Sequence, residues 1–219
     1  MRNTSRVALL SSFLVAGLLA FAGPVSAEVL TVKQGGGGDF TQIQAAVDYA
    51  SDGDVILVYP GASYYGSFSV DGKALNIRGV DSLRVDTYGG HISNIPSGAY
   101  VGLEHLLLLG PLNSPGLSIL NSEGSVSVHD CWIYGGWGSG MEGLRIQSST
   151  DVKIVHCTIE GGPGDADDGP PIWNGGPGSR ISDNSAVSMY DSTSMGGLEV
   201  TVLTALVTAM GGTVAMASL

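Results

Sequence analysis

Three groups of side chains have types and spacings that could support chemistry. His105, Asp130, His156 and Asp191 recur at intervals of 25, 26 and 35 residues, and each immediately precedes Leu106, Cys131, Cys157 or Ser192. If the segments carrying them stack, these four form one polar column facing outward at a bend. Alternating imidazole and carboxylate there reads first as a polar corner ladder, and second as an acid/base pair or a transition-metal site. Trp132, Tyr134, Trp137 and Trp173 make up the second group. A flat apolar ring with a polar handle suits stacking on a sugar ring, so they are candidate carbohydrate contacts; the alternative is that loops cover them. Asp165, Asp167 and Asp168 are the third, with three carboxylates in four residues beside glycines. Calcium takes roughly six to eight oxygens, and this loop supplies some of them, but not at EF-hand spacing. It reads as a solvated acidic loop with calcium as its candidate ion.

The elements that position these residues are repeats. Ser125 to Gly136 reads SVSVHDCWIYGG and Asp151 to Gly162 reads DVKIVHCTIEGG, an offset of 26 residues. Val126 meets Val152, Val128 meets Ile154, Cys131 meets Cys157 and Ile133 meets Ile159. Weaker copies flank the pair: Val101, Leu103, Leu106 and Leu108 fill the same columns upstream. Downstream, Val187 and Met189 fit, while Ser192 and Ser194 replace the inward Cys and Ile. GLSIL at 116–120 and GLRIQ at 143–147 form a second repeated piece. Alternation at period 2, rich in Val and Ile and bounded by Gly, Ser and Asn, is a strand signature. Such a unit buries its apolar face only by stacking on its neighbours.

Composition fits one all-β domain rich in turns: 219 residues, 34 Gly, 9 Pro and 13% charged. Residues 1–27 read as a secretory signal peptide. Arg2 and Arg6 precede an apolar run from Val7 to Ala22, and a Val25-Ser26-Ala27 cleavage site follows. Secretion and the absence of a membrane span in the mature chain are therefore expected. Without Arg2 and Arg6, 7 basic residues face 20 acidic ones, a net charge of −13. That surface repels phosphate backbones and argues against nucleic acid as a partner. It also repels anionic polysaccharide unless cations bridge the contact. Cys131 and Cys157 share an inward column, and stacked strands lie about 4.8 Å apart, within disulfide range. In an exported chain they are either bridged or, as expected here, two small buried thiols.

The mature chain opens with a strand, Val29 to Lys33, and the glycine run Gly35 to Gly38. Asp39 with Gln42 three residues on is an N-cap signature, and Phe40, Ile43, Val47 and Ala50 follow at helical spacing. A second strand runs from Asp54 to Tyr59. Gly-Asp-Phe before an amphipathic helix, followed by DGDVILVYPGASYYGSFSVDGKALNIRG, resembles the opening of right-handed parallel β-helix proteins of the pectin lyase-like superfamily, and within it the pectin methylesterase type. The resemblance implies a right-handed parallel β-helix over residues 28–197, with an N-terminal capping α-helix shielding one end of the stack. Residues 163–180 are dense in Pro and Gly and read as a loop insertion. The apolar tail, 198–219, has no charge from Val200 onward. It is one more coil, a membrane tail or the product of a shifted reading frame.

The resemblance also implies chemistry that these residues do not supply. Methylesterase relatives use paired aspartates with an arginine and glutamines, in Gln-Asp-Thr and Asp-Phe-Ile-Phe-Gly segments absent from this sequence. Val128-His129-Asp130-Cys131 and Met189-Tyr190-Asp191-Ser192 offer one carboxylate each and no arginine nearby. Lyase relatives need a proton-abstracting base and an acidic calcium cluster, and no motif surrounds Arg145, Lys153 or Arg180. The expected function is that of a non-catalytic surface or carbohydrate-binding module, with a polysaccharide or cell-surface glycan as partner. The alternative is a polysaccharide lyase or esterase with a divergent or incomplete site, marked by Arg145 or Lys153 lying against Asp130 or the 165–168 loop.

Overall fold

A computed structural model describes residues 26–80, 84–138, 140–163, 176–183 and 185–195, together with the backbone of 198–201 and 206–210. The chain is mostly β and climbs in rungs. The first rung holds β1 (Val29–Val32) and the helix α1 (Ile43–Tyr49); the second holds β2 (Val55–Val58) and β3 (Phe68–Asp71). Three-stranded rungs follow: β4 (Asn76–Gly79), β5 (Val85–Thr87) and β6 (Gly90–Ser93), then β7 (Tyr100–Glu104), β8 (Leu106–Leu109) and β9 (Leu117–Leu120). Next come β10 (Ser125–His129), β11 (Trp132–Tyr134) and β12 (Leu144–Gln147), then β13 (Asp151–Val155), β14 (Thr158–Glu160) and β15 (Ser179–Ser182). The last described strands are β16 (Ala186–Tyr190), β17 (Thr193–Met195), β18 (Leu198–Thr201) and β19 (Leu206–Met210).

From the third rung on, each rung visits three parallel sheets in turn, a layout compatible with a parallel β-helix. Sheet I runs β1-β2-β4-β7-β10-β13-β16-β19, sheet II runs β5-β8-β11-β14-β17, and sheet III runs β3-β6-β9-β12-β15-β18. The register follows the sequence repeat: Val126 pairs with Val152, Val128 with Ile154 and Ile133 with Ile159. Because side chains alternate across a strand, every second residue feeds one interior column. Leu30, Ile56, Ile77, Leu103, Val128, Ile154 and Met189 form the column of sheet I. Val70, Ile92, Ile119, Ile146 and Ile181 form that of sheet III. All are buried, and each contributes about 1.5–3 kcal/mol of transfer free energy.

Between sheets the chain turns on single residues in the left-handed region. His105, Asp130, His156 and Asp191, at φ of 54°, 51°, 51° and 45°, make the corner from sheet I to sheet II. Asn94, Asn121, Ser148 and Asp183, at 56°, 50°, 50° and 52°, turn the chain after sheet III. Each corner leaves backbone groups that the strand ladders cannot pair, and buried small side chains pair them. The Ile95, Ser122 and Ser149 amides donate to the hydroxyls of Ser122, Ser149 and Ser185 one rung on (3.4, 3.3 and 3.2 Å). At the other corner the Cys157 amide donates to Ser192 Oγ (3.0 Å). Cys131 and Cys157 are buried free thiols, each donating to the carbonyl two residues back (3.3 and 3.2 Å). Burial pushes the Cys131 thiol well above its ordinary pKa.

α1 packs its buried Ile43, Ala46 and Val47 into the core beside β1, β2 and β3. β3 is the edge of sheet III, and the Gln44 amide completes its ladder: Oε1 accepts from the Ser69 amide (2.7 Å) and Nε2 donates to the Ser69 carbonyl (3.3 Å). At the other end of the helix, Lys73 Nζ donates to the carbonyls of Val47, Asp48 and Ala50, which have no partner within the helix. The start of the helix departs from expectation. Gln42 is the N-cap, with no side-chain cap bond. Asp39 instead accepts from the amide and hydroxyl of Thr31 (2.8 and 2.7 Å), holding the glycine loop onto β1. Among the described residues no helix is long and apolar enough to cross a membrane.

Candidate functional site

Two neighbouring features stand out on the outer surface, the face of sheet II and the corner that leads into it. On β11, Ile133 is buried in the core while Trp132 and Tyr134 point outward, as alternation predicts. Trp132 is 37% exposed, and its ring lies 6.3 Å from that of Tyr134, edge to face. The Arg84 guanidinium sits 4.0 Å from the Trp132 ring centroid, a cation–π contact. Burial and the nearby Glu160 carboxylate raise the Tyr134 phenol pKa. The register extends this surface along the sheet. Trp132 lies between Leu107 and Thr158, and Tyr134 between Leu109 and Glu160. Beyond β5, Tyr64 and Tyr88 stack at 5.0 Å, both exposed.

The structure thus brings Trp132 and Tyr134 together on one face. Trp137 stands 59% exposed in the turn after β11, whose backbone accepts a bond from the Asn113 amide one rung earlier (2.8 Å). Trp173 and the calcium candidates Asp165, Asp167 and Asp168 lie outside the described residues. Arg84, Tyr64 and Tyr88 escape sequence reasoning because the spacing between strands within their rungs differs from that of the two matching repeats: Val85 pairs with Leu106 at an offset of 21, Ile77 with Leu103 at 26. Tyr64 alone has a signal, the density of Tyr around positions 59–65.

The corner from sheet I to sheet II gathers the polar column. Strand alternation would send Asp130 inward after outward His129. The left-handed turn resets the alternation, so Val128 and Cys131 are both inward and His129 and Asp130 are both outward. The Asp130 carboxylate is the hub. His129 Nδ1 lies 2.8 Å from Oδ2, His105 Nε2 lies 3.6 Å from Oδ2, and His156 Nδ1 lies 3.8 Å from Oδ1. His156 Nε2 faces Asp191 Oδ2 at 3.5 Å, and the His129 and His156 rings meet edge to face at 5.2 Å. The ligating atoms of His129, Asp130 and His156 lie within 4.8 Å of one another. His129 is the member that the column of His105, Asp130, His156 and Asp191 does not contain; its signal is its place one residue before the corner.

Of the two contacts expected to mark an enzyme, that with the 165–168 loop lies outside the described residues, and that with Asp130 is not formed. Arg145 Nε bonds the fully buried Glu142, and Lys153 Nζ lies 3.5 Å from Asp151. Neither lies against Asp130. The chain matches no protein-family model, no curated protein and no solved structure.

Proposed function

We propose that the chain is a secreted surface protein built as a right-handed parallel β-helix of pectin lyase-like type, capped by α1, and that it binds polysaccharide without cleaving it. The observation that carries this is the outward aromatic row of sheet II. Trp132 and Tyr134 offer ring surface for a pyranose face, and Arg84 and Glu160 stand beside them as hydrogen-bonding groups for hydroxyls or a sugar carboxylate. A flat sheet face on a rigid stack suits an extended polymer better than a small enclosed ligand. The acidic surface favours neutral glycans over anionic ones, with Arg84 as the local exception.

A panel of neutral and anionic polysaccharides, scored for both retention and cleavage, tests this directly. Retention of at least one polymer with no new reducing or unsaturated ends is the expected outcome. Cleavage would transfer the chain to the lyase or esterase reading, and absence of retention across the panel would remove glycan binding altogether.

A further inference from the structure

We propose that His129, Asp130 and His156 form a binding site for a late first-row divalent metal, of the zinc, nickel and copper kind, at the corner between sheets I and II. Two imidazoles and one carboxylate are a donor set that selects such cations over calcium or magnesium, which prefer oxygen cages. The donor atoms lie within 4.8 Å of one another. Zinc bonds of about 2.0–2.2 Å place donors roughly 3.4 Å apart in a tetrahedron, a contraction that rotation of the outward histidine side chains can supply.

The surroundings fit the same assignment. His156 presents Nδ1 to Asp130, while Asp191 stands 3.5 Å from Nε2 on the far side of the ring. A carboxylate there orients a metal-bound imidazole and raises its basicity. His105 backs the Asp130 carboxylate at 3.6 Å. Glu104, in register with His129, is paired with Arg78 at 3.1 Å. Three protein ligands leave at least one coordination position open to water.

Nothing in the backbone demands imidazoles here. The corner after sheet III makes the same turn with Asn94, Asn121 and Ser148. His129 is not at a left-handed position at all, so the turn places no requirement on its side chain. Even so, three of the four histidines in the chain, His105, His129 and His156, collect at this one corner. This inference is independent of glycan binding.

Calorimetric titration of the chelator-treated chain, produced without a histidine tag, with zinc chloride tests the site. One equivalent should bind saturably. His129→Ala together with His156→Asn should abolish binding, and asparagine at 156 preserves the left-handed turn. Asp191→Asn should weaken affinity about 10–100-fold, and His91→Ala, remote on sheet III, should leave it unchanged. A parent chain that binds no zinc saturably, or a double variant that still does, overturns the proposal. Independently of any variant, the cobalt-loaded parent should show paramagnetically shifted proton signals from two imidazole rings. A spectrum without them also overturns it.

Discussion

A β-carbon in the left-handed region costs about 1–2 kcal/mol of steric strain, which asparagine, aspartate and histidine tolerate better than most residues. That preference fits most of the corner residues, Ser148 excepted, without choosing among asparagine, aspartate and histidine. Asn121 is exposed, at φ 50°, so its backbone conformation can be tested alone. Asn121→Ala should lower stability by about 1 kcal/mol in urea unfolding, while Asn121→Gly should stay within about 0.5 kcal/mol of the parent. Equal losses for both would mean that the turn is not what the residue provides. Next to this column, Asp71 accepts bonds from Ser93 Oγ (2.8 Å) and Asn94 Nδ2 (2.6 Å), and these hold its carboxyl below the ordinary carboxylate range. A depressed carboxyl pKa stabilises the fold above the unfolded-state pKa, and the contribution is lost as pH falls through the folded-state value. Asp71→Asn should therefore lose less melting temperature than the parent between about pH 5 and pH 2; identical acid slopes would contradict it. At this scale the sequence showed the corner of His105, Asp130, His156 and Asp191 because the repeats align it. The Asn94 column carries a weaker signal, because its residue type changes from asparagine to serine and aspartate along the stack. His129 was missed for a different reason: its neighbourhood with Asp130 exists only once the left-handed turn resets the alternation.

Adjacent residues of β11 separate what holds the fold from what faces outward. Ile133 lies in the core between Leu108 and Ile159, and Ile133→Ala should cost about 2–5 kcal/mol. Trp132→Ala should cost only about 1 kcal/mol, chiefly the contact with Arg84. Thermal unfolding of the two variants gives the comparison, and a larger loss for Trp132 would mean that its ring is part of the core. The Gly-Gly endings of the repeats have a spatial cause, since a Cβ at Gly136 would meet the Pro111 carbonyl oxygen of the rung before. The N-terminal helix was legible from its apolar spacing, but its start was not. Asp39 and Gln42 stand at capping distance, yet Thr31 across the glycine loop takes the Asp39 carboxylate. Local pattern cannot reveal a partner supplied by a neighbouring strand. Gln44 is a similar case: it substitutes for a missing strand beside β3, and Gln44→Ala should destabilise the protein by about 1 kcal/mol and promote association through the freed strand edge. A variant that remains as stable and as monodisperse as the parent would show that the edge needs no partner.

Across the whole molecule, a repeat whose interval is 26 residues between its two best copies sets much of the layout: strands in register, three parallel sheets and continuous interior columns. That regularity made the stack legible in the sequence, since a core that must repeat leaves a repeating pattern. The proposed glycan face leaves no such pattern, because its residues lie where the rungs differ. Trp132 is alone in its column, between Leu107 and Thr158, and Arg84 reaches it from the segment between β4 and β5, which is longer than its counterpart between β7 and β8. We propose this face of sheet II as the place where polysaccharide binds. The most direct test is the affinity of Trp132→Ala, relative to the parent, for a polysaccharide that the parent retains, with circular dichroism showing the stack intact. A loss of about tenfold or more is expected, the scale of a central aromatic anchor. An affinity within about twofold of the parent would place the glycan elsewhere and contradict the proposal.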